Sequence, residues 1–392
     1  MKALRVGFCG ILGSGNLGND GSLEAVVAYL REHHPDARLG FFCMGPETVA
    51  ARYGAPATHL QWYEPHAGDA TGLRAAGLKV LGKLLDPFRT LAWIRRYDVV
   101  IVPGMGVLEA TLPLRPWGFP YSLFWLGVAA RLTGRKVALV SVGSNVIGKR
   151  LTRWMITRAA RLAHYRSFRD DNSREAMREM GVDVHADEVY PDLAFALPDP
   201  PESGPTGVVG VGLMAFYGGN DDRARAGEIH DAYLATMKRF VHWLVDQGRA
   251  VRLFIGDQAD DPVLDEILSD VDSARYEPAA TLPDLIRQMA AVDTVVATRY
   301  HNVLCALKAG KPTVSLGYAA KNDVIMDQMG LREFCQNARS IDFDRLVAQF
   351  TELEKRRDQF VDTMTERNRE NVRLLDKQFA ALSAAVLGGG RK

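Results

Sequence analysis

The residues best placed to do chemistry lie in Val295-Val-Ala-Thr-Arg-Tyr-His301, which runs on through Gly310-Lys-Pro312 to Val314-Ser-Leu-Gly-Tyr-Ala-Ala-Lys321. An apolar strand there delivers Arg299 and His301 to the start of a helix, where unpaired N–H groups and the dipole favour an anion. Val303, Leu304 and Leu307 form the apolar face of that helix, and Gly310 ends it. A site for a small phosphorylated or carboxylated donor is built in this way. A lone histidine is more often a structural hydrogen-bonder, but an arginine two residues before it at a helix N-terminus gives His301 a functional reading. Lys321 opens the next helix after Tyr318 and reads as a solvated lysine or as a third cation for the donor.

Three further clusters accompany it. Gly10-Ile-Leu-Gly-Ser-Gly-Asn-Leu-Gly-Asn-Asp-Gly21 joins a strand to a helix, and its glycines let the backbone approach a ligand or simply form a tight turn with Asp20 helping to cap the helix. It lacks the acidic ribose-binding residue of a dinucleotide site and the Gly-Lys-Ser/Thr ending of a P-loop. Pro103-Gly-Met-Gly-Val-Leu-Glu109 follows an apolar strand, where open α/β sheets place ligands, and could turn Glu109 toward a cleft. Arg169 ends another strand; Asn172 with Glu175 reads as the cap of the helix that follows, and a surface pairing of Arg169 with Asp170 or Asp171 is the plainer alternative.

The elements that must position these residues alternate. Leu4–Cys9, Leu39–Cys43, Val99–Val102, Val137–Val142 and Tyr165–Phe168 read as strands separated by amphipathic helices, which argues for a parallel sheet. The proline-rich Ala196-Leu-Pro-Asp-Pro-Pro-Glu-Ser-Gly-Pro-Thr206 interrupts both periodicities and reads as a linker. Strands at Gly207–Leu213, Val251–Ile255, Thr294–Ala297 and Thr313–Leu316 then restart the pattern, with Glu228–Gln247 a helix between them. The expected organisation is an α/β protein of two Rossmann-like, doubly wound domains, 1–196 and 207–340 joined by 197–206. Helices over 341–387 pack back, and 388–392 form a loose tail.

Length and charge agree with this. The 392 residues exceed what one core usually supports, and 48 Lys plus Arg against 47 Asp plus Glu leave no bulk field to attract nucleic acid. Cys9, Cys43, Cys305 and Cys335 stand singly, without zinc or disulfide spacing, and read as buried apolar side chains. No metal or cofactor is expected. The N-terminal apolar stretch is broken by Gly7, Gly10 and Gly13 and reads as a strand rather than a signal peptide, and no run reaches the ~18 apolar residues of a membrane span, so a cytoplasmic protein is expected. Leu78–Arg96 mixes apolar residues with cations as an interfacial helix would. Pro87 is expected to divide it into two short core-packing helices with solvated lysines, and peripheral membrane contact is the alternative.

In this order the pieces resemble the polysaccharide pyruvyl transferase family, whose members are similar to GT-B glycosyltransferases, with a cleft between two Rossmann-like domains. The resemblance runs from about Arg5 to Gly330. It is carried by Arg169-Asp-Asp-Asn-Ser173, by Arg299-Tyr300-His301 with Gly310-Lys-Pro312, Tyr318 and Lys321, and more weakly by Gly15-Asn16-Leu17-Gly18, the turn with Gly104 and Gly106, and Tyr190-Pro-Asp192. It implies phosphoenolpyruvate as donor, Arg169 and Arg299 gripping its phosphate and carboxylate from opposite lobes, Tyr300 and His301 at the same site, and a sugar acceptor for an exopolysaccharide or another cell-envelope glycan. Guanidinium forks suit such a compact anion independently. Three departures lie in the first half, which the reading gives to the acceptor. Asn19 intervenes before Asp20, Met105 stands in what is usually a triple glycine, and Val142-Gly-Ser-Asn145 replaces a Gly-Gln-Gly loop.

The chemistry so implied is ketal formation. An acid, for which His301 is the best candidate, protonates the methylene carbon of phosphoenolpyruvate; a sugar hydroxyl adds to the cationic C2; phosphate leaves; and a neighbouring hydroxyl closes the ring. Asp20 or Glu109 would be the base. Two alternatives stay open: a glycosyltransferase using a nucleotide sugar, and a catalytically degenerate anion-binding scaffold.

Overall fold

The runs of Val, Ile, Leu and Phe that are apolar on both faces become central strands of parallel sheets, because helices cover both sides and leave no wet face. In the computed structural model, which describes residues 3–66, 68, 71–109, 116–201 and 203–388, two such sheets form. The first contains β1 (Arg5–Gly10), β2 (Arg38–Cys43), β3 (Ala57–His59), β4 (Val99–Pro103), β5 (Lys136–Val142), β6 (Tyr165–Phe168) and β7 (Glu188–Val189), in the order β3-β2-β1-β4-β5-β6-β7. The second contains β8 (Val208–Gly212), β9 (Ala250–Phe254), β10 (Arg275–Tyr276), β11 (Thr294–Ala297), β12 (Thr313–Gly317) and β13 (Cys335–Asn337), in the order β10-β9-β8-β11-β12-β13. All ladders between these strands are parallel, with Phe8 beside Phe41 and Ile101, and Val296 beside Val211 and Val314. The expected doubly wound α/β architecture is therefore present twice.

All nine strands expected from periodicity are found, with ends moved by a residue or two. The four that periodicity missed, β3, β7, β10 and β13, are the two- and three-residue edges of the sheets, too short to show a period.

The two compact units do not follow the chain in single pieces. One is built from the chain up to Ser14, Ser22–Leu193 and the chain from Leu374 on; the other is built from Gly15–Gly21 and Ala194–Arg373. The expected linker, described except for residue 202, joins the second unit, where the Thr206 and Gly207 N–H groups donate to the Asp293 carboxylate at 2.9 and 2.7 Å. The C-terminal stretch forms two successive helices. Phe343–Lys355 and Arg357–Leu382 meet at Arg356, Phe350 packs edge-on against Phe240 in the second unit, and Gln378 is fully buried in the first, donating to Ser167 Oγ at 2.8 Å. Of the expected tail 388–392, residues 389–392 lie outside the described ones.

One expectation is overturned. Pro87 does not divide the segment before β4, because Gly72–Ile94 is a single 23-residue helix with Pro87 inside it. A proline has no N–H for the carbonyl four residues back, which here belongs to Lys83. The Tyr121 hydroxyl takes that place, donating to Lys83 O at 2.5 Å, and Thr90 Oγ1 donates to Asp86 O at 2.8 Å. Tyr121→Phe is accordingly expected to cost about 1–2 kcal/mol, the cost of a part-buried carbonyl left unpaired. The loss should nearly vanish in a Pro87→Ala background, where a backbone N–H returns; urea unfolding of the four proteins of this cycle measures it.

Candidate functional site

In the second unit, β8 turns away to β9 on one side while the chain later returns to β11 on the other, so the C-terminal ends of β8 and β11 flank the point where the winding reverses. Open α/β sheets bind ligands there. Thr298 and Arg299 leave β11 at this point. Thr298 is fully buried, its hydroxyl 2.9 Å from the hydroxyl of Tyr233, which also accepts from the Met214 N–H at the end of β8. Arg299 is the N-cap of the helix Tyr300–Lys308 but has no side-chain capping bond, so its guanidinium is available for another task.

That task is fixed by two aspartates that follow β9. Arg299 donates from Nε to Asp260 Oδ2 at 2.5 Å and from Nη2 to Asp260 Oδ1 at 2.7 Å, while Nη1 lies 3.7 Å from Asp257 Oδ2. Asp260 is 0 % exposed and also accepts from the Ala215 N–H at 2.8 Å. Burial works against the Arg299 charge, but Asp260 outweighs it and holds the guanidinium above its ordinary range. The arginine is thus rigidly aimed and permanently charged. Sequence reading missed both aspartates, although the acidic run Asp257-Gln-Ala-Asp-Asp261 directly after an apolar strand was the available signal.

Two residues after Arg299, the His301 ring stands edge-on to Tyr300, centroids 5.1 Å apart, and lies against the backbone of Gly18. A methyl group on the Gly18 Cα would fall 2.0 Å from His301 Nδ1 and 2.1 Å from Cε1, so only glycine fits beneath the imidazole. The segment carrying Gly18 is pinned to the same unit: Asn16 donates to Asp257 Oδ2 at 2.7 Å, and the Leu17 N–H donates to Gly256 O at 3.1 Å. Asp257 therefore faces both Asn16 and Arg299. The Lys321 ammonium sits over the rings of Tyr300 and Tyr318, 5.4 and 5.3 Å from their centroids, near the start of the helix Ala320–Gln328. Next to Tyr318, beyond the ends of β12 and β13, a cavity of about 610 Å³ opens, lined also by Gly317, Asp323, Asn337 and Arg345.

The first unit holds a separate cluster. The loop after β4 is tied to the loop after β5 by the Gly143 N–H to Met105 O at 2.8 Å and the Leu108 N–H to Gly143 O at 3.1 Å. Arg169, at the end of β6, has a side chain 3 % exposed; it is ion-paired with Glu109 and lies 3.5 Å from Asp170 and 4.0 Å from Asp192. A methyl at Gly143 would meet both Arg169 Nη2 and Glu109 Oε1 at 2.4 Å, so this glycine makes room for the pair. Met105, between Gly104 and Gly106, has φ +64, a left-handed conformation that glycine adopts without strain.

Several local expectations are corrected by these contacts. The first helix is Leu17–His33: Asn16 Oδ1, which the sequence reading did not single out as a cap, accepts the Asn19 N–H at 3.1 Å, and Asp20 is buried in the first turn. The helix after β6 is capped by Asp170, which accepts the Ser173 N–H at 2.6 Å, rather than by Asn172. Arg169 is not a surface residue paired only with its neighbours, since its closest partner is Glu109. Gly15, Asn16 and Gly18 belong with Arg299, Tyr300, His301 and Lys321 in one unit; Gly104, Gly106, Glu109 and Arg169 belong to the other. Cys9, Cys43 and Cys305 are buried, and Cys335 is half-buried.

Comparison with known proteins extends this picture. A structure of Staphylococcus aureus MnaA with UDP shares 11 % identity at a TM-score of 0.59, covering 93 % of this chain and 91 % of that one. UDP-GlcNAc 2-epimerase from Neisseria meningitidis bound to UDP-GlcNAc shares 10 % at 0.58, covering 98 % and 100 %. The glycosyltransferase SnogD from Streptomyces nogalater shares 17 % at 0.51, covering 96 % and 100 %. At these identities the likeness shows the fold alone, that of the GT-B glycosyltransferases and epimerases. No curated protein matches the chain in sequence. The family model for polysaccharide pyruvyl transferase, however, matches residues 16–319, a span that starts at Asn16 and takes in Glu109, Arg169, Arg299 and His301. The chain belongs to the polysaccharide pyruvyl transferase family.

Proposed function

We propose that the protein transfers a pyruvyl group from phosphoenolpyruvate to two hydroxyls of a sugar, vicinal or at positions 4 and 6, forming a ketal and releasing phosphate in the synthesis of an envelope polysaccharide or its precursor. The observation that carries this reading is the turn Thr298–His301. It presents a charged, rigidly held guanidinium and an imidazole two residues apart at a helix N-terminus, on the ligand-binding end of a parallel sheet. A compact anion with about three charges needs such convergent donors.

In this reading His301 delivers its proton to the methylene carbon of the donor, which leaves C2 cationic and open to a sugar oxygen. The new C2–O bond forms as a base takes the hydroxyl proton. Asp20, in the same unit as His301, is favoured over Glu109, which belongs to the other unit. The C2–O bond to phosphate then breaks, with Arg299 and Lys321 neutralising the departing charge, and the second hydroxyl closes the ring as its proton passes to the now neutral imidazole of His301. The family resemblance also assigns Arg169 to the donor. Its surroundings in its own unit carry three carboxylates against one guanidinium, so it would serve only if the donor displaced one of them. The reaction is proposed for the cytoplasm; among the described residues no helix is long and apolar enough to cross a membrane. The acceptor sugar belongs to a free, lipid-linked or polymeric glycan.

A second reading, transfer from a nucleotide sugar, is favoured by the likeness to structures solved with UDP and UDP-GlcNAc. Ligand-dependent stabilisation separates the two. A ligand at 100 times its dissociation constant stabilises by about 2.7 kcal/mol. Phosphoenolpyruvate is expected to raise the melting temperature and UDP sugars to leave it unchanged; the opposite pattern would establish the nucleotide-sugar reading instead.

A further inference from the structure

The helix Gly72–Ile94 leaves one face uncovered. Leu73 (93 % exposed), Val80, Leu81, Leu84 and Phe88 (71 % exposed) all project from it into solvent. At 100° per residue these positions, with Gly77 between them, fall within an arc of about 100°, the width that normally faces a core. Its opposite face, with Gly82, Asp86, Thr90, Trp93 and Ile94, is buried. A soluble helix that turns five large apolar side chains outward along one stripe has a partner surface missing.

The charge around this stripe tells what that surface is. Arg74 at the edge of the stripe, and Arg95 and Arg96 directly after the helix, are exposed; the one acid on the helix, Asp86, is buried against Arg89 and the Trp62 N–H. The neighbouring helices continue the pattern. No Asp or Glu occurs between Glu109 and Asp170, in a chain whose net charge is only +1. Lys149, Arg150 and Arg153 are exposed there beside exposed Leu151 and Trp154. A chain of ring contacts runs from Lys83, over Tyr121, through Trp125 and Phe124 to Trp154 on the helix Arg150–Leu162, while exposed Trp117 packs on Tyr121. Apolar and indole side chains ringed by cations of one sign match an anionic bilayer surface, into which such a helix sinks in the interface plane without crossing. A second copy of the chain fits less well, because a two-fold interface would oppose the same cations to one another.

We propose that this face of the first unit, the helix Gly72–Ile94 with Trp117, Leu151 and Trp154 beside it, docks the protein on anionic membrane. The inference stands on the surface alone and holds whichever donor the enzyme uses. It is tested with the full chain by co-sedimentation with vesicles of phosphatidylcholine alone or mixed with phosphatidylglycerol. Binding to the mixed vesicles, little binding to the neutral ones, and loss of binding as salt rises are expected. Leu84→Asp with Phe88→Asp should weaken vesicle binding by tenfold or more, on the order expected for two apolar side chains kept out of the interface. Arg74→Glu with Arg153→Glu should weaken binding to the mixed vesicles alone. Both variants change exposed positions and should keep the wild-type melting temperature and any turnover on a soluble glycoside. Equal binding by wild type and the Asp variant, no binding to the mixed vesicles, or a dimer in sedimentation velocity that Phe88→Asp dissociates would each overturn the proposal.

Discussion

Replacing His301 by Ala is expected to lower kcat by about 10²–10⁴-fold, the usual contribution of a positioned general acid, while phosphoenolpyruvate still binds with close to wild-type affinity. The split between kcat and binding is the informative part. An imidazole that merely filled space would, when removed, change stability and both kinetic constants together. The close approach of Gly18 supplies an independent route to the same result. Gly18→Ala keeps the histidine but puts a methyl where the ring now lies, 2.0 Å from Nδ1, so the imidazole must swing away. Alanine favours a helix over glycine, and Gly18 lies in the first turn of Leu17–His33. The backbone should therefore tolerate the change while turnover falls toward that of His301→Ala, as stopped-flow phosphate release would measure. Full activity in Gly18→Ala would mean that the position of this ring does not matter to the reaction.

The second large effect concerns Arg299 and the aspartate that holds it. Arg299→Ala is expected to weaken phosphoenolpyruvate binding by roughly 10- to 100-fold, the worth of one or two charge-assisted hydrogen bonds. It should also destabilise the protein by about 3–5 kcal/mol, because Asp260 is left charged at 0 % exposure with its fork partner gone. The two consequences separate in a double variant. Arg299→Ala with Asp260→Ala removes the orphaned charge, so most of the stability should return while donor affinity stays low. Calorimetric titration with the donor and urea unfolding on the same proteins read both quantities. Affinity that recovers with stability would show that Arg299 acts only by supporting the fold.

Much of this site was legible from side-chain types in order. The strand Thr294–Ala297 and the turn to Arg299 and His301 follow from three apolar residues between two threonines and a helix that starts at once, all local signals. The two sheets were legible for the same reason, since their central strands are apolar on both faces, whereas the edges β3, β7, β10 and β13 are too short to carry a pattern. What could not be read was tertiary. Asp260 lies 39 positions before Arg299 and Glu109 lies 60 before Arg169, so no spacing rule connects them. The hydroxyl that rescues the Lys83 carbonyl comes from Tyr121, 38 residues on, which is why Pro87 read as a break and is a continuation. The grouping of Gly15–Gly21 with the second unit depends likewise on Asn16 meeting Asp257 across 241 residues. Met105 is the reverse case. It stood in the sequence only as a departure from the family pattern, and its backbone keeps the glycine-like conformation at φ +64.

The most direct test follows the donor's own carbon. Purified protein, phosphoenolpyruvate labelled in the carboxylate and a panel of glycosides with free vicinal or 4,6 hydroxyl pairs are incubated together, and the sugars are separated and weighed by mass spectrometry. Label should appear on a sugar as a pyruvyl ketal, with one phosphate released per label transferred and both slowed about 10²–10⁴-fold in the His301→Ala protein. Label that never leaves the three-carbon acid, while the same protein moves a glycosyl group from a UDP sugar to the panel, would contradict the assignment of the Arg299–His301 turn to phosphoenolpyruvate.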